Sequence, residues 1–493
     1  MLFNSGVFLQ FFAAFLLFYW LVRNHLRARN VLVLGASYLF YGWWDWRFLI
    51  LLFFSSSFDF VVGLSLGQLT DPRQRRWVLC ASIVVNLVIL GFFKYYNFFL
   101  ASFVELFGRL QLPFLPGTLV IILPVGISFY TFQSMSYAID VYRGQLQPTR
   151  NFINFLSYVS FFPQLVAGPI ERASHLLPQF EKTVSITRPM LEEGVWLMLW
   201  GLFKKVVVAD NLAPLADLAF GQSSHTAASV ALGTLAFAFQ IYGDFSGYSD
   251  IARGSARVLG FDIMWNFDLP YAARNLRDFW RRWHISLSTW LRDYLYISLG
   301  GNRRGPARTY VNLALTMGLG GLWHGAAWNF VVWGLWHGLG LCLQRAWHVH
   351  RARVATPPAP LTSAPTPTLT HTLNLTPTPT LRPMLRLLSW LATLLFVLYG
   401  WLLFRANSWH HIQSMTRACF HWSAPVWASS FALTLAAFST PLILMELWQV
   451  RRRDRLVSLT LPPRWRGLLQ GALLCGILLF WEKKQLAFIY FQF

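Results

Sequence analysis

Gly318-Leu-Gly-Gly-Leu-Trp-His324-Gly-Ala-Ala-Trp328-Asn329 is the stretch that decides how this chain is read. It lies in a run from Arg308 to Arg345 that contains no Lys, Arg, Asp or Glu between those two residues, so an imidazole stands alone in an uncharged segment. A full charge at membrane depth costs about 2.5–3.5 kcal/mol on insertion scales, and such residues face a protein interior or a wet cavity where a polar partner offsets the cost. The glycines around His324 allow close backbone approach and predict a broken helix, which a bilayer tolerates only where it lines a cavity. The segment therefore predicts a polar tunnel inside a membrane protein, with an imidazole in its wall.

The rest of the chain agrees. Of 493 residues 55% are hydrophobic, 17% aromatic and only 12% charged, an integral membrane composition. The net charge of +21 sits in short clusters between apolar spans, so retention of basic residues on the cytoplasmic side explains it without a nucleic-acid partner. Cys80, Cys342, Cys419 and Cys475 are far apart and lie in or beside apolar runs; they read as buried thiols, not as a disulfide framework or a metal motif. No ligand spacing for a metal is present, and none is expected.

Apolar runs predict membrane segments at about 6–22, 31–45, 48–67, 77–100, 117–139, 151–167, 191–209, 227–243, 309–322, 326–344, 385–404, 429–447 and 467–481, judged against the roughly 20 residues a spanning helix needs. Several are too short to span, which predicts half-helices around Pro124 and Gly126 and on either side of His324. The first eight residues carry no basic residue while Arg23, Arg27 and Arg29 follow the first span, the reverse of a cleaved signal. The same charges predict a cytoplasmic first loop. Arg451, Arg452, Arg453 and Arg455, together with Arg345, Arg351, Arg353 and Arg382, place two later loops on that side as well, with both termini outside. Residues 356–380 are rich in Thr and Pro with no helical period, and read as an extended, disordered cytoplasmic linker within one domain spanning 1–493. No internal repeat is visible, which weighs against a secondary transporter.

Upstream of His324 the chain is basic and aromatic from Arg274 to Tyr294. Helical spacing would put Trp280, His284, Leu287 and Leu291 on one face and Arg274, Arg277 and Arg281 on another. Gly300-Gly301-Asn302-Arg303-Arg304-Gly305 follows. Guanidiniums beside a glycine turn suit a phosphate-bearing donor such as a coenzyme A thioester, whereas charge alone favours basic residues snorkelling to anionic lipid. His337 shares the uncharged run and is as readily structural as functional. Tyr242, Asp244, Ser246 and Asp250 form a further polar island. A Ser246–His324–Asp244 triad has no support in the spacing, and helix–helix hydrogen bonding is the preferred reading.

Arg282-Trp-His284-Ile-Ser-Leu-Ser288-Thr-Trp-Leu-Arg292-Asp-Tyr294 and Leu322-Trp-His324-Gly325 resemble the two signature blocks of the membrane-bound O-acyltransferase family. So do Gln240 to Asp250 and Phe162-Pro-Gln-Leu-Val-Ala-Gly-Pro169-Ile-Glu171-Arg172, and the ending Phe488-Ile-Tyr-Phe-Gln-Phe493 is similar to the bacterial alginate O-acetyltransferase branch. The linker fits no pattern of that family. The resemblance implies an all-α, polytopic, multi-helix disc with re-entrant helices around a central tunnel. It also implies a catalytic His324 and a second functional residue at His284. On it we expect an inner-membrane O-acyltransferase moving acetyl from a cytoplasmic thioester, acetyl-coenzyme A, towards a secreted polysaccharide such as alginate or cellulose, with no bound cofactor. Arg277, Arg281, Arg282, Arg303 and Arg304 would guide the donor, and Trp283, Ser286, Trp323, Asn329 and Asp244 would line the tunnel. The expected partners are the lipid bilayer, an extracytoplasmic SGNH-type acetyltransferase or small membrane protein, and the polysaccharide synthesis complex. D-alanyl transfer from a carrier protein to teichoic acid is the nearest alternative, and a transporter or channel without acyl chemistry the alternative from another class.

Overall fold

Most apolar runs of the chain are helical, and in the computed structural model no β-strand occurs among the described residues, which are 1–112, 116–166, 168–355, 381–421, 423–481 and 488–489. The linker expectation at 356–380 lies outside them. Helix boundaries follow local chemistry. Ser5 caps Gly6–Val22 by accepting from the Phe8 amide at 3.0 Å, and Asp71 caps Pro72–Leu90, with Pro72 at a first-turn position where its missing amide costs nothing. Among the described residues four helices are long and apolar enough to cross a membrane: Phe48–Gln68, Pro72–Arg109, Pro383–Arg405 and Ala428–Arg452. Near Pro124 the chain is irregular: residues 116–126 carry no regular structure, and the 16-residue helix Ile127–Tyr142 starts behind Gly126, whose φ of 75° needs the glycine.

At the centre stands Ala227–Val258, 32 residues long and buried along most of its length. It crosses Arg188–Leu202 at glycine contacts: a methyl on Gly201 would lie 2.5 Å from the Gly247 carbonyl, and one on Gly247 would lie 2.7 Å from the Gly201 carbonyl. Small residues let helices approach closely where lipid offers no hydrophobic drive for association. Pro306–His324 and Trp328–Ala355 form a hairpin packed the same way. A methyl on Gly321 would meet the Phe330 carbonyl at 2.1 Å, and one on Gly334 the Met317 carbonyl at 2.2 Å.

Among the described residues three wide π turns interrupt the helices, Gly91–Tyr95, Phe203–Ala209 and Leu291–Tyr296, and each aims charged or polar side chains across the bundle. Such turns cluster at functional sites because the extra residue re-aims its neighbours. From Phe203–Ala209, Lys204 meets Asp250 at 2.7 Å, and Lys205 meets Asp244 at 2.7 Å and Asp210 at 2.8 Å. From Leu291–Tyr296, the Tyr294 hydroxyl donates to Asp140 at 2.8 Å and Asp293 pairs with Arg172 at 3.2 Å.

Two expectations are corrected. The cysteines are not buried thiols: Cys80, Cys419 and Cys475 are exposed and Cys342 is half-buried. An apolar helix in a bilayer turns apolar residues outward as well as inward, so hydrophobicity alone does not place a thiol. The stretch 274–294 is not one amphipathic helix either. It breaks at His284 into Leu276–Arg282, Ile285–Trp290 and the π turn, so the proposed face joining Trp280 to Leu287 and Leu291 does not exist as a helical stripe.

Candidate active site

The break at His284 is built by what surrounds it. His284 adopts φ 43°, ψ 56°, a left-handed conformation that costs a non-glycine residue about 1–2 kcal/mol and survives only where neighbours hold it. Asn266, 2% exposed, does the holding. Its carbonyl accepts from the Ile285 amide at 2.9 Å, and its side-chain oxygen accepts from the Ser286 hydroxyl at 2.9 Å and the Ser286 amide at 3.3 Å. Its side-chain NH2 donates to the Ser249 hydroxyl on the central helix at 3.2 Å. The loop carrying Asn266 is anchored in turn by Glu171, which accepts from the Met264 amide and pairs with His175 at 2.9 Å, and by Gln179, which accepts from the Asp262 amide at 2.8 Å. The Glu171 block of the sequence thus supports the His284 block from behind.

His324 arrives from the other direction. It ends Pro306–His324; Gly325 is fully extended at φ −158°, and the chain resumes as a helix at Trp328. The expected break is therefore present, but the helices on its two sides, 19 and 28 residues long, are not the half-helices predicted there. The two imidazoles meet with ring centroids 6.1 Å apart, His284 fully buried and His324 3% exposed. Aromatic rings enclose them. Phe245 stands edge-on to His284 at 4.6 Å, Trp323 lies 5.7 Å from it, and Trp333 and Phe404 lie 5.0 Å and 5.6 Å from His324. A buried pair of ring bases ringed by aromatics can hold a small polar group while keeping bulk water out.

The other sequence-nominated residues divide. Trp323 packs beside both imidazoles, at 5.7 Å from His284 and 5.1 Å from His324. Trp283 is buried behind it in an aromatic cluster with Phe279, Phe267 and Trp401, the last at 4.7 Å. Ser286 is bonded to Asn266 and supports the break. Asn329 donates to the Phe404 carbonyl at 2.9 Å and ties the hairpin to Leu381–Arg405. Asp244 belongs to the neighbouring ion-pair cluster, where it binds Lys205 and accepts from the Ile489 amide at 2.6 Å, while Ser246 accepts from Lys204 at 2.9 Å. Both side chains are thus engaged by lysines of the Phe203–Ala209 turn. Arg282 is engaged by Asp278 at 2.8 Å and by the Asp268 carbonyl at 3.1 Å, whereas Arg277, Arg281, Arg303 and Arg304 are exposed.

The exposed arginines lie towards one end of the hairpin. The Arg277 amide donates to Gln344 at 3.2 Å, next to Arg345, and Cys342 contacts the Tyr310 carbonyl, so 274–277, 303–308 and 342–345 share a level. His324 lies at the other end. His337, fully buried and stacked on Phe279 at 6.0 Å, stands between those levels and approaches Trp333 at 5.1 Å.

Two residues that the sequence reading passed over stand out. Asn266 carries no signal of its own. Lys94 does: it is the lone charged residue between Arg76 and Glu105, the same pattern that singled out His324. Its ammonium donates to the carbonyls of Trp323 at 2.6 Å and His324 at 3.2 Å.

Comparison with known proteins agrees with this architecture. Residues 146–365 match the family described as MBOAT, membrane-bound O-acyltransferase. The chain is 44% identical over 412 residues to the probable alginate O-acetylase of Azotobacter vinelandii, spanning 83% of this chain and 76% of that one. It is 36% identical over 441 residues to the peptidoglycan O-acetyltransferase of Helicobacter pylori, spanning 83% and 77%. A teichoic acid D-alanyltransferase of Streptococcus thermophilus is 30% identical over 249 residues, 48% of this chain and 60% of its own length. A multi-pass helical bundle with two buried histidines at its helix breaks is the class that fold and site define. The chain belongs to the membrane-bound O-acyltransferase family, and it is an O-acyltransferase.

Proposed function

We propose that this enzyme O-acetylates a secreted polysaccharide, alginate- or cellulose-like, with His324 as general base. The observation that carries the reading is the pair of buried imidazoles 6.1 Å apart, because one bound carbonyl group can touch both rings. His324 takes the proton of an acceptor hydroxyl as that oxygen attacks the thioester carbonyl. The carbon–sulfur bond then breaks, and the proton passes to the departing thiolate. His284 sits where charge develops on the carbonyl oxygen and steadies it or orients the donor.

The proposed donor is an acyl thioester, acetyl-coenzyme A, entering from the cytoplasm of a bacterial inner membrane. Arg277, Arg281, Arg303 and Arg304 are free to receive its phosphates, whereas Arg282 is occupied by Asp278 and is set aside. The first hydroxyl acceptor is assigned to an extracytoplasmic SGNH-type acetyltransferase or small membrane protein working with the polysaccharide synthesis complex, and both termini are placed outside. Acetyl is favoured over D-alanyl because the acetyl-transferring relatives are matched along 83% of this chain and the D-alanyltransferase along 48%.

Polymer acetyl content in a deletion strain complemented with His324→Ala tests the reading. Acetyl groups should disappear while the protein inserts at its normal level. Normal acetylation at normal expression removes His324 from the mechanism.

A further inference from the structure

We propose that Lys94 is a positioning residue for His324: its ammonium closes the C-terminal end of Pro306–His324 and fixes where the helix breaks. The inference rests on reading His324 as the catalytic base. Lys94 acts through the backbone, since its hydrogen bonds go to carbonyls and not to the imidazole.

A helix that stops abruptly leaves its last carbonyls without amide partners, and in a bilayer no water is at hand to supply them. Glycine commonly solves this by turning left-handed after the last helical residue, but Gly325 is extended and directs the chain away instead. The three carbonyls at the end are met from another helix. The Tyr95 hydroxyl donates to Leu322 at 3.0 Å, and Lys94 donates to Trp323 at 2.6 Å and His324 at 3.2 Å. A cation at a helix C-terminus also complements the negative end of the helix dipole.

The source of these donors matters as much as their targets. Lys94 and Tyr95 are consecutive, and in a regular α-helix consecutive side chains diverge by about 100°. Here they leave the π turn Gly91–Tyr95, and both reach the same helix end. Among the described residues no carboxylate pairs with Lys94; carbonyl oxygens and the rings of Trp323 and Tyr95, with centroids 5.7 Å and 6.0 Å from the ammonium, receive its charge. A lone cation half-buried in an apolar helix is costly. Its placement on the backbone of His324 is where that cost is offset.

The test uses the full-length protein reconstituted in lipid, with Lys94→Met removing the donor, Lys94→Arg keeping the charge and Tyr95→Phe removing the neighbouring bond. Two quantities are read: kcat and KM for the acyl donor, and amide exchange across residues 322–328. Lys94→Met should lower kcat about ten- to hundred-fold, the size expected for a misplaced catalytic group, with the donor KM within about two-fold. Exchange should speed up on the order of ten-fold or more, as the loss of charge-assisted hydrogen bonds implies. Lys94→Arg should recover most of both effects, and Tyr95→Phe should show a smaller change in the same direction. Wild-type kcat and exchange in Lys94→Met overturn the proposal. So does a loss of activity with unaltered exchange at 322–328, or one that Lys94→Arg fails to relieve. If His324→Ala is active, the reading of the base falls, and the exchange measurement still decides whether Lys94 holds the break.

Discussion

Replacing Asn266 with alanine should damage catalysis more than its distance from the two imidazoles would suggest. The substitution removes three side-chain hydrogen bonds, two from Ser286 at 2.9 and 3.3 Å and one to Ser249 at 3.2 Å, and leaves the carbonyl bond from Ile285 in place. The hydroxyls of Ser286 and Ser249 can rotate to other acceptors, but the Ser286 amide is fixed and buried, and an unsatisfied buried amide costs about 1–3 kcal/mol. With the remaining bonds the stability loss should come to roughly 2–4 kcal/mol. The catalytic effect has a separate origin. His284 is held at φ 43° against a preference of about 1–2 kcal/mol for other conformations, so a loosened anchor lets the backbone relax and the ring move. A shift of about 1 Å in a catalytic group can lower the rate on the order of a hundred-fold. Ser286→Ala removes one hydroxyl bond and keeps the amide bond, so it should cost about 1 kcal/mol and less activity. Thermal unfolding in detergent measures the first effect, and acetyl transfer per molecule of folded protein measures the second. Wild-type transfer in Asn266→Ala would falsify the claim that this residue sets the His284 geometry, and so would a larger defect in Ser286→Ala than in Asn266→Ala.

Two other consequences can be measured directly. His175 sits between Asp262 and Glu171, whose carboxylates, Asp262 first, push its pKa from 6.5 to about 10. The folded value lies above the unfolded one, so its stabilisation is complete below about pH 6.5 and fades as pH rises through 10. The unfolding midpoint should fall gently over that window, gently because the ring is 41% exposed, and His175→Gln should flatten the curve; parallel curves for the two proteins count against the assignment. Arg303 precedes Pro306–His324 while Ser408 follows Leu381–Arg405, whose Phe404 packs on His324, so the two positions lie at opposite ends of the helices. In a variant lacking the four native cysteines, Ser408→Cys should react with a membrane-impermeant thiol reagent on intact spheroplasts and Arg303→Cys should not. The reverse labelling inverts the orientation proposed for the donor.

Much of this arrangement was legible in the chain. The helical runs at 6–22, 48–67, 309–322 and 429–447 reappear within a few residues because each ends at a cap, a proline or a charge cluster that local chemistry dictates. The break at His324 was legible too, because the glycines around it signal the close backbone approach that the hairpin makes. The break at His284 was not. Its sequence, Arg282-Trp-His284-Ile-Ser-Leu, has the spacing of an amphipathic helix, and what opposes that tendency is Asn266, eighteen residues upstream and meaningful only once the loop is folded. Asp244 and Ser246 show the same limit. They are buried polar residues close in sequence to Phe245, which touches His284, yet their partners Lys204 and Lys205 come from a π turn that no periodicity announces. Lys94 is different again: its isolation was visible, but its role depends on which helix end it meets.

The geometry also constrains the donor. Gln344, at the level of Arg277, is separated from Trp328 by sixteen residues of continuous helix, about 24 Å of rise. His324 lies beside the Trp328 end, past His337 and Trp333. If guanidiniums at the first level hold the charged part of the donor, its acyl group must hang on an uncharged arm long enough to cover most of that depth. A coenzyme A or carrier-borne thioester has such an arm. Acetyl phosphate, with charge and acyl group on adjacent atoms, would either stay at the arginines or carry a dianion past Trp333 and His337 into an aromatic enclosure, where desolvating it is prohibitive. Acetyl phosphate should therefore fail as a donor at any concentration, while a truncated thioester keeping the neutral arm and lacking the nucleotide phosphates should still react, with a raised KM and a kcat close to that of the full donor. Efficient turnover of acetyl phosphate would show that charge and acyl group are not held apart, and would remove the arginine end from the donor route.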